Sequence, residues 1–207
     1  MMLTTNELRW FYRGTLPTEI AVWMAAHSLG DYLSTPESRE DVYLYVPECD
    51  YLGIKLRQKR LEIKLRKAEL GNMTFGDNLA GKLEKWVKWS CEDPTTESLL
   101  PPDLIKKAPW VSVQKVRQQR KYEINGDRTL KSVPMERNIS QGCNLEITQL
   151  TIRDNAWWSL ALEAFGKDDR LTKNLEITAN WVFQNNGVLE LQLQNSYAYP
   201  KWLSLVI

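Results

Sequence analysis

The chain has 207 residues, 43% of them apolar and 26% charged, with 27 bases against 26 acids. That is enough for one domain with a packed core, and the balance argues against a disordered chain or a uniformly basic nucleic-acid binder. A single histidine, His27, excludes H-E-x-x-H and other multi-histidine metal sites, and three cysteines without C-x-x-C spacing support neither a disulfide scaffold nor a zinc knuckle.

The cysteine usage points to a reducing, cytoplasmic compartment. The longest apolar run, Ile20 to Ala26, is too short to cross a bilayer, so no membrane partner is expected. Met1 to Glu7 has no basic flank, and no signal peptide is expected. No G-x-x-x-x-G-K-[ST], G-x-G-x-x-G or G-x-S-x-G occurs. Any metal chemistry must therefore rest on carboxylates.

In chain order, Glu7 to Arg13 alternates as a strand, ended by Gly14 and Pro17. Thr18 to Ala26 has helical spacing, with Thr18 as N-cap and His27 placed to complement the helix dipole. Asp41 to Val46 reads as a strand. Ile54 to Gln58 and Leu61 to Arg66 alternate strictly with period two and predict a hairpin turning at Lys59-Arg60. That turn sets Lys55 opposite Lys64 and Arg57 opposite Glu62, with the charged set on one face. Lys82 to Trp89 fits a helix or a helix running into a strand. Pro94 to Pro109 reads as a surface connection. Trp110 to Arg117 is a strand that continues into, or pairs with, Arg120 to Ile124. Asn125-Gly126-Asp127 turns it back through Arg128 to Val133. Leu145 to Ile152 and Trp157 to Phe165 are strands. Asp168 to Gln184 is a helix stopped by Asn185-Asn186-Gly187, and Val188 to Gln194 is a last strand. The C-terminal segment from Tyr199 to Ile207 is a packed tail or a dimer contact, so an oligomer stays open. About eight strands joined by short turns, with two or three helices, predict an antiparallel sheet or barrel of the α+β class.

The near-neutral total conceals segregated charge. Residues 1–54 hold eight acids and three bases, and residues 55–67 hold seven bases and one acid. Lys115, Arg117, Arg120 and Lys121 form a further basic cluster. Like charges facing one another on a sheet repel, and a bound polyanion would relieve the repulsion. A solvated outer face is the other reading. Basic residues at two- or four-residue spacing on three separate strands (Arg9 and Arg13, Lys55 and Arg57, Lys115 and Arg117) bring a concave basic surface level with that reading. Trp157-Trp158 puts adjacent rings on opposite faces of a strand, so at most one of them can meet a ligand. The acidic first quarter argues against a broad nucleic-acid footprint.

Lys55-Leu56-Arg57, Lys64 on the following strand, Lys115-Val116-Arg117, Leu162-Glu163 and the late Ser196-Tyr197 resemble, in order, the motifs of the CYTH-like superfamily, the triphosphate tunnel metalloenzymes. The resemblance spans most of the chain and implies a single CYTH-like domain over residues 1–207, an antiparallel β-barrel, closed or nearly closed, with a few flanking helices. It implies that Lys55, Arg57, Lys64, Arg66, Lys115, Arg117, Arg9 and Arg13 hold a phosphate-containing small molecule or polyphosphate. It further implies that Glu7 and Glu163 hold Mg²⁺ or Mn²⁺, with Glu163 and Glu62 as the carboxylates of a triphosphate or organic-phosphate hydrolase. The family's first strand is E-x-E-x-K. Here Glu7-Leu8-Arg9-Trp10-Phe11-Tyr12-Arg13 holds no two carboxylates spaced by two, and Ala161 stands where a second late acid would. That departure supports the alternative to this leading reading, a non-catalytic anion-binding or interaction protein on the same fold.

Overall fold

The computed structural model describes residues 2–57, 60–76, 78–92, 103, 106–126, 128–184 and 189–207. Nine strands form one antiparallel sheet: β1 (Met2–Arg13), β2 (Glu37–Leu44), β3 (Leu52–Arg57), β4 (Arg60–Phe75), β5 (Leu79–Glu92), β6 (Trp110–Ile124), β7 (Leu130–Val133), β8 (Gly142–Ile152) and β9 (Asn155–Phe165). The order β2-β3-β4-β5-β1-β9-β8-β6 closes on itself through β2–β6, with β7 added on β6. The result is an eight-stranded barrel, the architecture that the resemblance implies. Among the described residues three helices with full bounds accompany it: α1 (Thr18–Ala25), α2 (Leu171–Phe183) and α3 (Tyr199–Val206).

The barrel is polar inside and apolar outside. On β1, Leu8 and Trp10 point outward into the main core, where Trp23 and Met24 of α1 and Leu175, Ala179 and Phe183 of α2 also pack. Glu7, Arg9 and Phe11 alternate to the other face, as the two-residue period of a strand requires. Outward apolar burial beneath the helices supplies the stability that an ordinary barrel takes from its interior. Gly81 lies where a Cβ would fall 2.3 Å from the Trp10 ring, so the close fit of Trp10 against β5 requires glycine.

One end of the barrel is plugged. Inward-facing Phe11, Tyr43, Val113, Leu150 and Ile152 form a second apolar cluster with Trp202 and Leu203 of α3. Trp202 is fully buried and stacks on Phe11 at 5.1 Å between ring centroids. Ser196 and Tyr197 carry the chain across β1 to that end. Ser196 bridges to Trp10, and the Tyr197 N–H donates to the Arg9 carbonyl at 3.0 Å. The C-terminal segment is thus a packed helix.

Several sequence expectations are corrected. The β3–β4 pairing is shifted by two residues, with Lys55 opposite Glu62 and Arg57 opposite Arg60. A two-residue shift preserves the faces and changes only the partners. Gln58 and Lys59 lie outside the described residues. Lys82 to Trp89 belongs to β5, paired on both sides by β4 and β1. The second strand spans Glu37–Leu44 instead of starting at Asp41. Residues 189–198 form no strand: Leu191 makes a single bridge to Leu79, and Leu193–Asn195 is a 3-10 turn. The alternation of Leu189 and Leu191 reflects their burial in the outer core, since a closed barrel offers no free edge beside β1. Val188, Asp127, residues 185–187 and most of Pro94 to Pro109 lie outside the described residues. Pro17, not Thr18, occupies the N-cap position of α1. Helix α1 ends before His27, and its end is served by Arg120, whose guanidinium donates to the carbonyls of Met24, Ala26, Gly30 and Tyr32 at 2.6–3.1 Å. Arg120 is therefore a buried clamp on the outer face. Trp157 turns inward to the plug and Trp158 outward, where it stacks on Tyr12.

Candidate anion-binding site

Beyond the plug, the barrel encloses a cavity of about 330 Å³. Each strand contributes in the same direction from the plug. On β1, Arg9 and Glu7 follow Phe11. On β2, Asp41, Arg39 and Glu37 follow Tyr43. On β3, Lys55 and Arg57 follow Gly53. On β6, Lys115, Arg117, Gln119 and Lys121 follow Val113, and on β8, Glu146 and Asn144 follow Leu150. Nine bases line the cavity (Arg9, Arg39, Lys55, Arg57, Lys64, Lys88, Lys115, Arg117, Lys121) against four acids (Glu7, Glu62, Glu146, Glu163). Ala198, Tyr199 and Pro200, at the start of α3, make the floor.

The cations are held in a network of carboxylates. Lys115 is 3.0 Å from Asp41, and its Nζ donates to the Tyr43 hydroxyl at 2.6 Å. Lys55 lies 3.0 Å from Glu62 and 3.4 Å from Asp41. Glu62 also receives Arg57 and, at 3.6 Å, Lys88, so three cations share one carboxylate. Arg9 pairs with Glu146 at 2.9 Å, and Arg117 with Glu37 at 2.5 Å and Glu146 at 3.4 Å. Arg39 reaches Glu37 at 2.8 Å and Asp41 at 3.1 Å. Lys115 also lies over the Tyr199 ring at 3.8 Å. This packing fixes the direction of each head group before any ligand arrives.

The electrostatics follow from burial and crowding. Burial opposes the charged form of both Lys55 and Lys115. It outweighs their carboxylate partners, with Lys115 and Arg57 pressing further on Lys55, and Arg39 on Lys115. Each lysine is lowered to about 8. Burial also works against ionised Glu62, but Lys55, Lys88 and Arg57 prevail and bring it to about 2. The cations around Asp41 and Glu146 hold both carboxyls far below the usual range, again against burial.

Of the residues expected from sequence, Lys55, Arg57, Lys64, Lys115, Arg117, Arg9, Glu7, Glu62 and Glu163 all line this cavity. Two do not. Arg13 is exposed at the end of β1, and Arg66 pairs with Glu84 at 2.8 Å and Asp50 at 2.9 Å outside the lining. The reading missed Arg39, Asp41, Lys88 and Glu146. The signal for the first two is the alternation Glu37-x-Arg39-x-Asp41-x-Tyr43, which continues β2 upstream of the expected strand. Lys88 was hidden by the undecided assignment of β5.

The carboxylates do not fit a resident divalent cation. Glu7 and Glu163 stand opposite each other across β1 and β9, but both face the Lys64 ammonium. Lys64 Nζ donates to Glu7 and lies 3.8 Å from Glu163, and the Thr5 hydroxyl donates to Glu7 at 2.5 Å. Burial disfavours ionised Glu7, yet Lys64 outweighs it and lowers the Glu7 carboxyl; the same pairing raises Lys64. Among the described residues no group of three or more His, Cys, Asp or Glu side chains gathers as metal ligands do. At a pKa of about 2, Glu62 is also ill-matched to a general base near neutral pH.

No protein-family model matches the chain, and no curated protein matches its sequence. Solved structures similar to the chain include the following two. The PH1819 protein from Pyrococcus horikoshii OT3 is 12% identical, with 98% of this chain and 97% of that one covered and a TM-score of 0.48. The S. pombe Pct1 RNA triphosphatase, in complex with the Spt5 CTD, is 11% identical, with 88% and 80% covered and a TM-score of 0.40.

Proposed function

We propose that the protein binds a phosphate-rich anion inside the barrel, with Arg9, Arg39, Lys55, Arg57, Lys88, Lys115 and Arg117 holding the phosphate oxygens. The observation that carries this reading is the convergence of nine bases on one enclosed cavity of about 330 Å³. Enclosure strengthens each charge-assisted contact relative to water, and the fork of an arginine suits two phosphate oxygens at once. The carboxylate network gives the cavity's cations partners that a phosphate can displace. Binding is favoured over metal-assisted hydrolysis because both carboxylates in the metal role face Lys64.

Inorganic triphosphate in the presence of EDTA is the test. A ligand at 100 times its dissociation constant raises stability by about 2.7 kcal/mol, read as a higher Tm. The same protein with Mg²⁺ or Mn²⁺ is expected to release no phosphate above background. An unchanged Tm with triphosphate, with and without divalent ions, would overturn the proposal.

A further inference from the structure

Resting on that reading, we infer that the cavity is a dead-end socket that takes its ligand end first, so that it recognises a linear phosphate chain only through a free terminal phosphate. The plug carries the inference. Phe11, Trp202 and Leu203 are at most 3% exposed, and Trp202 stacks on Phe11 and packs edge-on to Trp157 and Tyr199. Tyr199 and Pro200 form the floor, with the Lys115 ammonium 3.8 Å over the Tyr199 ring and Pro200 against Gly53. A chain therefore cannot thread through the barrel and emerge beyond α3. The bases continue along β6 from Lys115 at the floor to Lys121, six residues or about 20 Å of strand, so several consecutive phosphates meet cations once the first has entered. The deepest cations, Lys55, Lys115 and Arg9, are then read only by the end of the chain, and the outer ones by the units behind it.

Linear polyphosphates blocked with a bulky amine through phosphoramidate bonds at neither, one or both ends test this on the intact protein. For chains long enough to fill two sockets, the inference expects two proteins bound per unblocked chain and one per singly blocked chain, with no further binding as the chain lengthens. It expects affinity for the doubly blocked chain to fall by more than about tenfold, equivalent to about 1.4 kcal/mol. Doubly blocked chains that bind as well as free ones, or a stoichiometry that grows with length, would overturn the end-first socket while leaving phosphate binding intact. Failure of inorganic triphosphate and of every chain to bind would instead remove the proposed function and this inference with it.

Discussion

Lys55 illustrates how sequence and structure divide the work. Period-two alternation placed its side chain on the charged face, and that face lines the cavity. Its partner was not legible, because alternation is blind to a two-residue slip and the turn residues lack the glycine or asparagine that pins a hairpin. The expected repulsion from Lys64 is absent: Lys55 has Glu62 and Asp41, and Lys64 has Glu7. Removing the Lys55 charge strands neither carboxylate, since Asp41 keeps Lys115 and Arg39, and Glu62 keeps Arg57 and Lys88. Lys55→Met is therefore expected to change stability by less than about 1 kcal/mol. It should weaken triphosphate binding tenfold or more, since a hydrogen bond to a charged group contributes about 1.5–3 kcal/mol; chemical denaturation and calorimetry read the two effects separately. The low values of Lys55 and Lys115 set a pH dependence. Both are charged below pH 8 in the empty cavity and lose protons above it, whereas in an unfolded chain lysine holds its proton to about 10.4. Between those limits the unfolded chain binds more protons, so these two groups make the empty protein more stable as pH rises. Anion binding runs the opposite way, because it favours the charged amines. Affinity should fall as pH rises through 8, with protons taken up on binding. Calorimetry in buffers of different ionisation enthalpy measures that uptake, and none at pH 8.5 would remove the two lysines from the site.

At the level of elements, strands with an outward apolar and inward charged alternation were the readable ones. β3, β6, β8 and β9 follow the pattern, and the Asn-Gly signal marks the turn into β7 correctly. β5 resisted because Lys82, Lys85 and Lys88 also fit a helical spacing, and only its two neighbours in the sheet decide it. Arg120 shows the opposite error, a base grouped with Lys115 and Arg117 by proximity in sequence. Its even position on β6 sends it outside, onto the carbonyls of Met24 and Ala26 at the end of α1. Arg120→Leu should remove a donor from the carbonyls of Met24, Ala26, Gly30 and Tyr32 and cost about 2–4 kcal/mol. The triphosphate affinity of the folded fraction should stay the same; a loss of affinity without a loss of stability would contradict that role. The plug depends on α3 in a comparable way. Trp202→Ala should cost about 3–5 kcal/mol, as for other fully buried large aromatic side chains, measured by urea denaturation.

Over the whole molecule, a net charge of +1 hides a basic interior. The acidic first quarter, read as an argument against nucleic acid, has a structural part as well: Glu7, Glu37 and Asp41 are among the acids that hold the cavity cations in place. That role was not visible in sequence because the decisive pairings join residues far apart in the chain: Glu7 with Lys64, Asp41 with Lys55 and Lys115, and Glu37 with Arg117. The resemblance, the closed barrel and the converged bases lead to one claim, that the interior receives phosphate. Anomalous diffraction from crystals soaked in tungstate, a heavy tetrahedral oxyanion, tests it most directly. The account predicts the strongest peak inside the barrel, within contact of Lys55, Lys115 and Arg9. Peaks confined to the outer surface, with an empty cavity, would contradict it.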